Sequence, residues 1–189
     1  MNQKVVVDIE LEGFFCNHWP RTKITFNNQL IFFSEIENNK TLTFELDCVE
    51  RNRITVEHVD KSFGENGVWD KTHDTECILI IKDIRLDKAS IGTELLSTLT
   101  FITNWTQEQL KYHDQDFIQQ NAMINHCMGQ LNFNGVINFD FELPIYEWLI
   151  KEKFINPARK SGSNEMRRGK DKFDYEYIVN KISSIKKLF

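Results

Sequence analysis

At 189 residues the chain is long enough for one well-buried domain, or for a domain of about 150 residues with an extension. Charged residues at 27% and hydrophobic residues at 41% are globular values, and a mean hydropathy of -0.43 without an apolar run near 18 residues excludes a membrane-spanning helix. The net charge of -5 conceals a split: from Lys151 onward 11 Lys and Arg face 5 Asp and Glu, so this part carries +6 and residues 1–150 carry -11.

Residues 4–12 alternate, with Val5, Val7, Ile9 and Leu11 on one face and Asp8, Glu10 and Glu12 largely on the other. That predicts a half-buried first strand rather than a signal peptide, ended by Gly13. The aromatic connection FFCNHWP closes at Pro20. Arg21 to Phe26 and Gln29 to Phe33 then flank Asn27-Asn28, a pair that tolerates the positive φ of a tight turn, so a hairpin is expected. Lys40 to Cys48 alternates most cleanly, with Leu42, Phe44, Leu46 and Cys48 on one face, and Arg53 to Val59 repeats the pattern with Ile54 and Val56 inward. A polar, Gly-containing loop follows at 60–75. Cys77 to Ile81 are five apolar residues in a row, giving way to Ile84 and Leu86 alternating with Asp83, Arg85 and Asp87. This reads as the central strand, covered on both faces at its start and solvated on one face at its end.

Residues 93–125 are less regular. Thr106, with Gln109 at the third position, forms a capping box for a short helix within 106–122, whose apolar side would come from Leu110, Phe117, Ile118 and Met123. His126 to Phe133 and Val136 to Leu143 flank Asn134-Gly135, which predicts a closing hairpin. Pro144 suits the first turn of a helix near 145–153 with Ile145, Trp148 and Leu149 on one side. Residues 156–172 form a basic linker with Gly and Ser. Beyond it Tyr175, Ile178, Ile182, Ile185 and Phe189 recur at spacings of 3, 4, 3 and 4, an amphipathic helix too short to stand without a surface to cover its stripe. The expected architecture is mainly β: an antiparallel, jelly-roll-like β-sandwich over 1–143, a helix packed on it at 144–155, and a basic linker with a helical C-terminal arm at 156–189.

Sites are sparse in this pattern. Four cysteines, Cys16, Cys48, Cys77 and Cys127, are widely spread without metal-ligand spacing, and Cys48 and Cys77 fall in apolar strands, where a reduced thiol acts as a small hydrophobe. Loop 60–76 gathers Trp69, Asp70, His73 and Asp74. Its carboxylates are either a Ca²⁺ site or solvated loop charge, and Trp69 either stacks on a ligand or covers the open end of the sandwich. Glu57 and His58 adjoin on a strand and so point to opposite faces, which denies them a common substrate. No nucleophile-elbow, zinc-protease, P-loop or dinucleotide signature occurs, so no enzyme is expected. Arg167, Arg168 and neighbouring cations could meet phosphates, but the acidic body argues against a dedicated nucleic-acid binder.

Two passages carry a resemblance. The run ITFNNQLIFFSE, TLTFELDC, NRITVEH and DTECILIIKDIRLDKASIG resembles the strand order of Ca²⁺-dependent carbohydrate-binding β-sandwich modules of the xylan-binding type, with Asp70 and Asp74 at the positions that would hold calcium. Together with FNGVINFDFELPIYEWLIKEKF, the chain also resembles small β-sandwich proteins of tailed bacteriophages. The second resemblance implies a non-enzymatic virion protein, decorating a capsid or part of a tail or baseplate and assembled in the host cytoplasm. It would dock to other virion proteins or to copies of itself through Tyr175, Ile178, Ile182, Ile185, Phe189, Arg167 and Arg168. The first implies the alternative, a module that recognises host glycans through Trp69, Asp70, His73 and Asp74. Neither implies a cofactor, other than Ca²⁺ in the first case.

Overall fold

The structure, a computed structural model, describes residues 3–15, 18–59, 77–112 and 114–155. In chain order its elements are β1 (Gln3–Phe14), β2 (Arg21–Phe26), β3 (Gln29–Glu35), β4 (Asn39–Cys48), β5 (Arg51–Val59), β6 (Ile78–Leu86), β7 (Ala89–Ser90), α1 (Gly92–Leu96), β8 (Thr100–Thr103), α2 (Gln107–Tyr112), α3 (Gln115–Asn121), β9 (Met123–Asn125), β10 (Gln130–Leu131), β11 (Gly135–Glu142) and α4 (Ile145–Ile150), followed by a π-helical turn at Lys151–Ile155. The strands form two antiparallel sheets, one ordered β10-β6-β1-β4 with β7 beside β6, the other β3-β2-β5-β11-β8-β9. This is the mainly β, two-sheet sandwich that the alternation predicts.

Period-two patterning places the core. Val5, Val7, Ile9 and Leu11 of β1 face Ile24 and Phe26 of β2, Ile54 and Val56 of β5, and Ile137, Phe139 and Phe141 of β11, all buried in one cluster between the sheets. The Asn27-Asn28 turn is as expected, with φ of 47° and 69° at its two residues. Ile145 and Leu149 of α4 enter the same core, and Trp148 sets its ring edge against Phe139 and Phe141.

Several expectations are corrected. Gly13 does not end β1 but lies within it, because a Cβ there would stand 2.1 Å from the Ile36 carbonyl oxygen where the chain passes. Cys77–Ile81 is not covered equally on both faces: Leu79 and Ile81 are buried, whereas Ile78 and Ile80 are half-buried, and the two-residue β10 pairs beside the strand at Leu79 and Ile80. β6 pairs Ile81 with Leu11 and Asp83 with Glu10, so Lys82 is an extra residue, a bulge that shifts the buried phase from Leu79 and Ile81 to Ile84 and Leu86.

The helix expected within 106–122 is two helices. The first follows Thr106 as expected, the Thr106 carbonyl oxygen accepting from the Leu110 N–H at 3.0 Å; Asp114 starts the second, its Oδ1 accepting from the Phe117 N–H at 2.7 Å, and Met123 belongs to β9. The closing hairpin does not form either. β10 joins β6 in one sheet and β11 joins β5 and β8 in the other, so Asn134-Gly135 crosses between sheets. Gly135 has no positive φ; it is required because a Cβ would meet the Ile102 carbonyl oxygen at 2.3 Å and the Phe101 ring at 2.6 Å.

Candidate functional site

One end of the sandwich is aromatic. Residues 8, 10 and 12 of β1 point out of the sheet, and Phe14 continues that phase, so its ring is carried outward, 43% exposed. Phe15 follows at 55% exposed, and its ring meets Trp19 edge-on at 5.2 Å. The same end holds Val59 and Cys77, the two residues between which loop 60–76 runs, since Arg21 pairs with Val59 and Phe14 with Ile78. Sequence reading marked this connection as aromatic without assigning it a role. The available signal was an aromatic residue in the outward phase otherwise filled by Asp8, Glu10 and Glu12.

Behind the rim lies a buried polar cluster. His58 points inward from β5 with no exposed surface, and its Nδ1 is 3.3 Å from the Leu131 carbonyl oxygen. A carbonyl only accepts, so Nδ1 carries the proton and Nε2 turns to Cys77 Sγ, 3.8 Å away. His18 Nδ1 lies 3.9 Å from the same sulfur and 3.0 Å from the Trp19 carbonyl oxygen. His58 is thus a satisfied core histidine, separated from Glu57, which turns outward to pair with Lys23 at 3.1 Å. Cys48, Cys77 and Cys127 are buried thiols outside any disulfide. Burial, followed by Asp87 and Asp47, pushes the Cys48 thiol up to about 11, and burial also raises Cys127.

A second concave feature runs along the C-terminal half of β11. Here β8 pairs only with Gly135–Ile137 and then diverges, leaving an open groove of about 1150 Å³ beside Asn138–Glu142. Its floor is apolar, built from Leu95, Leu99, Phe139, Phe141 and Trp148. Its rim is polar: Thr55 donates to Asn138 Oδ1 at 2.8 Å and Thr100 to Asn125 Oδ1 at 3.1 Å, which fixes both carboxamides. The rim carboxylates are neutralised by arginine, Asp140 by Arg53 at 2.6 and 2.9 Å and Glu142 by Arg51 at 3.5 Å.

Trp69, Asp70, His73 and Asp74, and the arm residues Arg167, Arg168, Tyr175, Ile178, Ile182, Ile185 and Phe189, lie outside the described residues. Among the described residues no three His, Cys, Asp or Glu side chains gather in a metal-binding arrangement. No helix among them is long and apolar enough to cross a membrane.

No family model matches the chain, and no curated protein matches it. Two solved structures of vCBM60, a calcium-dependent carbohydrate-binding module, one of them in complex with galactobiose, are similar in fold. Each is 11% identical with a TM-score of 0.43 and covers 71% of this chain, against 89% and 96% of its own length.

Proposed function

We propose that the chain is a non-catalytic glycan-binding module. The observation that supports this reading is the aromatic rim of Phe14, Phe15 and Trp19 at the end of the sandwich from which loop 60–76 springs. Open aromatic rings offer a flat apolar surface to the C–H face of a pyranose, and neighbouring loop carboxylates and amides serve its hydroxyls. Trp69 would add a ring to this end, and Asp70 and Asp74 would hold Ca²⁺ where the ligand requires it. Binding of the full chain to an array of host-surface and plant-type glycans, in calcium and in chelator, tests the reading. Retained glycans should lose at least about tenfold in affinity on Phe15→Ala and on Trp69→Ala. An array that stays at background in both buffers, or binding untouched by either substitution, overturns it.

A second reading rests on the charge split and on the stripe Tyr175, Ile178, Ile182, Ile185 and Phe189. In it the sandwich is a structural component of a tailed-phage virion, assembled in the host cytoplasm, and the basic arm with Arg167 and Arg168 latches onto a neighbouring virion protein or another copy. Deleting residues 156–189 would then leave a folded protein that no longer enters its particle. Unchanged incorporation of the truncated chain would refute this reading without touching the first.

A further inference from the structure

We propose that residues 156–189 fold back over this chain's own sandwich, the basic segment 156–172 crossing the acidic outer face of the β10-β6-β1-β4 sheet and the stripe of 175–189 closing the seam between β4 and β3. The two outer faces differ in charge. On the outward side of β1, β4 and β6 stand six carboxylates, Asp8, Glu10, Glu12, Glu45, Asp47 and Asp83, against three cations, Lys4, Lys82 and Arg85. Each cation is already engaged, Lys4 by Glu45, Lys82 by Glu12 and Arg85 by Glu10, so the face keeps a negative surplus. The other sheet's outer face is balanced: Arg21, Lys23, Arg51 and Arg53 stand with Glu35, Glu57, Asp140 and Glu142.

The arm carries the matching charge and starts at the right edge. Arg159, Lys160, Arg167, Arg168, Lys170 and Lys172 outweigh Glu165 and Asp171 within 156–172. Lys153 Nζ donates to the Ser90 carbonyl oxygen at 2.9 Å, Ser90 pairs with Arg85, and its hydroxyl donates to Asp83, so the described chain ends beside β7 at the margin of the acidic face. From β7 across β6 and β1 to β4 is about 14 Å, whereas a flexible segment as long as 156–172 spans about 23 Å on average. Such a tether also holds the arm at an effective concentration in the millimolar range, which favours its own sandwich over a second copy.

The seam lies at the far end of that path. β4 and β3 are edge strands of the two sheets on the same side of the sandwich, where Lys40 Nζ stands 5.5 Å from the centre of the Phe32 ring. Leu42 and Phe44 of β4, with Ile31 and Phe32 of β3, pack on the core but stay half-buried, whereas Ile9 and Val7, opposite Leu42 and Phe44 on β1, are fully buried. Elsewhere α1 and α4 complete the core with Leu95, Leu96, Ile145 and Leu149; among the described residues no helix packs on β3 or β4. A helix over 175–189 would be about 22 Å long and would lay Tyr175, Ile178, Ile182 and Ile185 along this seam. Basic then apolar in the chain thus matches acidic then apolar in space. The clasp requires neither reading above; for a virion component it is the state from which a neighbour would have to release the arm.

The test uses the full chain. Carbodiimide coupling, which joins a lysine to a carboxylate in contact with it, should link Lys160, Lys170 or Lys172 to carboxylates of β1 or β4, and the links should be lost in molar salt. In a mixture of isotope-labelled and unlabelled protein they should form within single chains. Hydroxyl-radical footprinting should find Leu42 and Phe44 more oxidised when Ile178→Asp is combined with Ile182→Asp, and again when Arg159, Lys160, Arg167 and Arg168 are all changed to Glu. Met123, on β9, should be unchanged in both variants and serves as the control for an intact sandwich. Links that form only between chains would assign the surface to a second copy and overturn the proposal. Equal oxidation of Leu42 and Phe44 in the parent and both variants would overturn it as well.

Discussion

His58 and Cys77 meet in the core, imidazole Nε2 to thiol Sγ at 3.8 Å, a buried polar ring set against a thiol of an apolar strand. The pairing depends on the Leu131 carbonyl, which holds the proton on Nδ1. Replacing His58 by Ala leaves that carbonyl unpaired and opens a cavity, so the cost should be about 2 to 4 kcal/mol in urea unfolding. Cys77→Ala should cost less, and the two losses should fall short of additivity in the double mutant. Fully additive losses would show that the pair does not interact.

Gly135→Ala should cost more than about 3 kcal/mol or prevent folding, because its Cβ would collide with the Ile102 carbonyl oxygen and the Phe101 ring, at 2.3 and 2.6 Å. Gly92→Ala is the contrast. Its φ of +73° strains an L-residue, but the nearest atom is the flexible Lys153 Nζ at 3.6 Å, so a loss of about 1 to 2 kcal/mol is expected from thermal unfolding.

The bidentate pair of Arg53 and Asp140 joins β5 to β11 on the outer face, and its hydrogen bond and then its charge hold the guanidinium above its usual range. Both side chains are more than half exposed, so solvent screens the pair. A double-mutant cycle with Arg53→Ala and Asp140→Ala should give a coupling under about 1 kcal/mol that fades in molar salt. A larger, salt-insensitive coupling would mean that the groove rim is drier than its exposure implies.

The Cys48 thiol, ordinarily near 9.0, is pushed up to about 11 in the folded chain. The folded state therefore holds this proton more tightly than the unfolded state. Its contribution to stability is complete below pH 9 and is lost as the pH climbs from 9 towards 11. Alkaline unfolding of Cys48→Ala should show a shallower fall across that window, and Cys48 should resist thiol reagents at pH 8 until the chain unfolds. Rapid labelling of folded protein at Cys48 would contradict this.

The two-sheet class was legible because β1, β4 and β5 each keep a period of two that the sheets preserve. What sequence concealed were close approaches and phase breaks, which depend on partners distant in the chain. Asn134-Gly135 has the composition of a hairpin turn, but its glycine answers to Phe101 and Ile102, more than thirty residues earlier. Thr106 does precede a helix, its carbonyl oxygen accepting from the Leu110 N–H, but that helix is short, and a second one capped by Asp114 carries Phe117. At the candidate sites, Phe14 was readable as an aromatic in a solvent phase. The groove was not, since it arises where β8 stops following β11 and no local pattern encodes that.

The extra residue in β6 has a further consequence. A one-residue deletion inside a paired strand ordinarily turns every later side chain to the wrong face. Here Ile81 faces inward opposite Leu11, Asp83 outward opposite Glu10 and Ile84 inward opposite Ile9, so the alternation runs unbroken once Lys82 is passed over. Removing Lys82 would forfeit its ion pair with Glu12 and little else, leaving a regular ladder with Ile84 and Leu86 still in the core. A strand read as the most tightly determined in the chain thus contains the one position where shortening it by a residue keeps the frame.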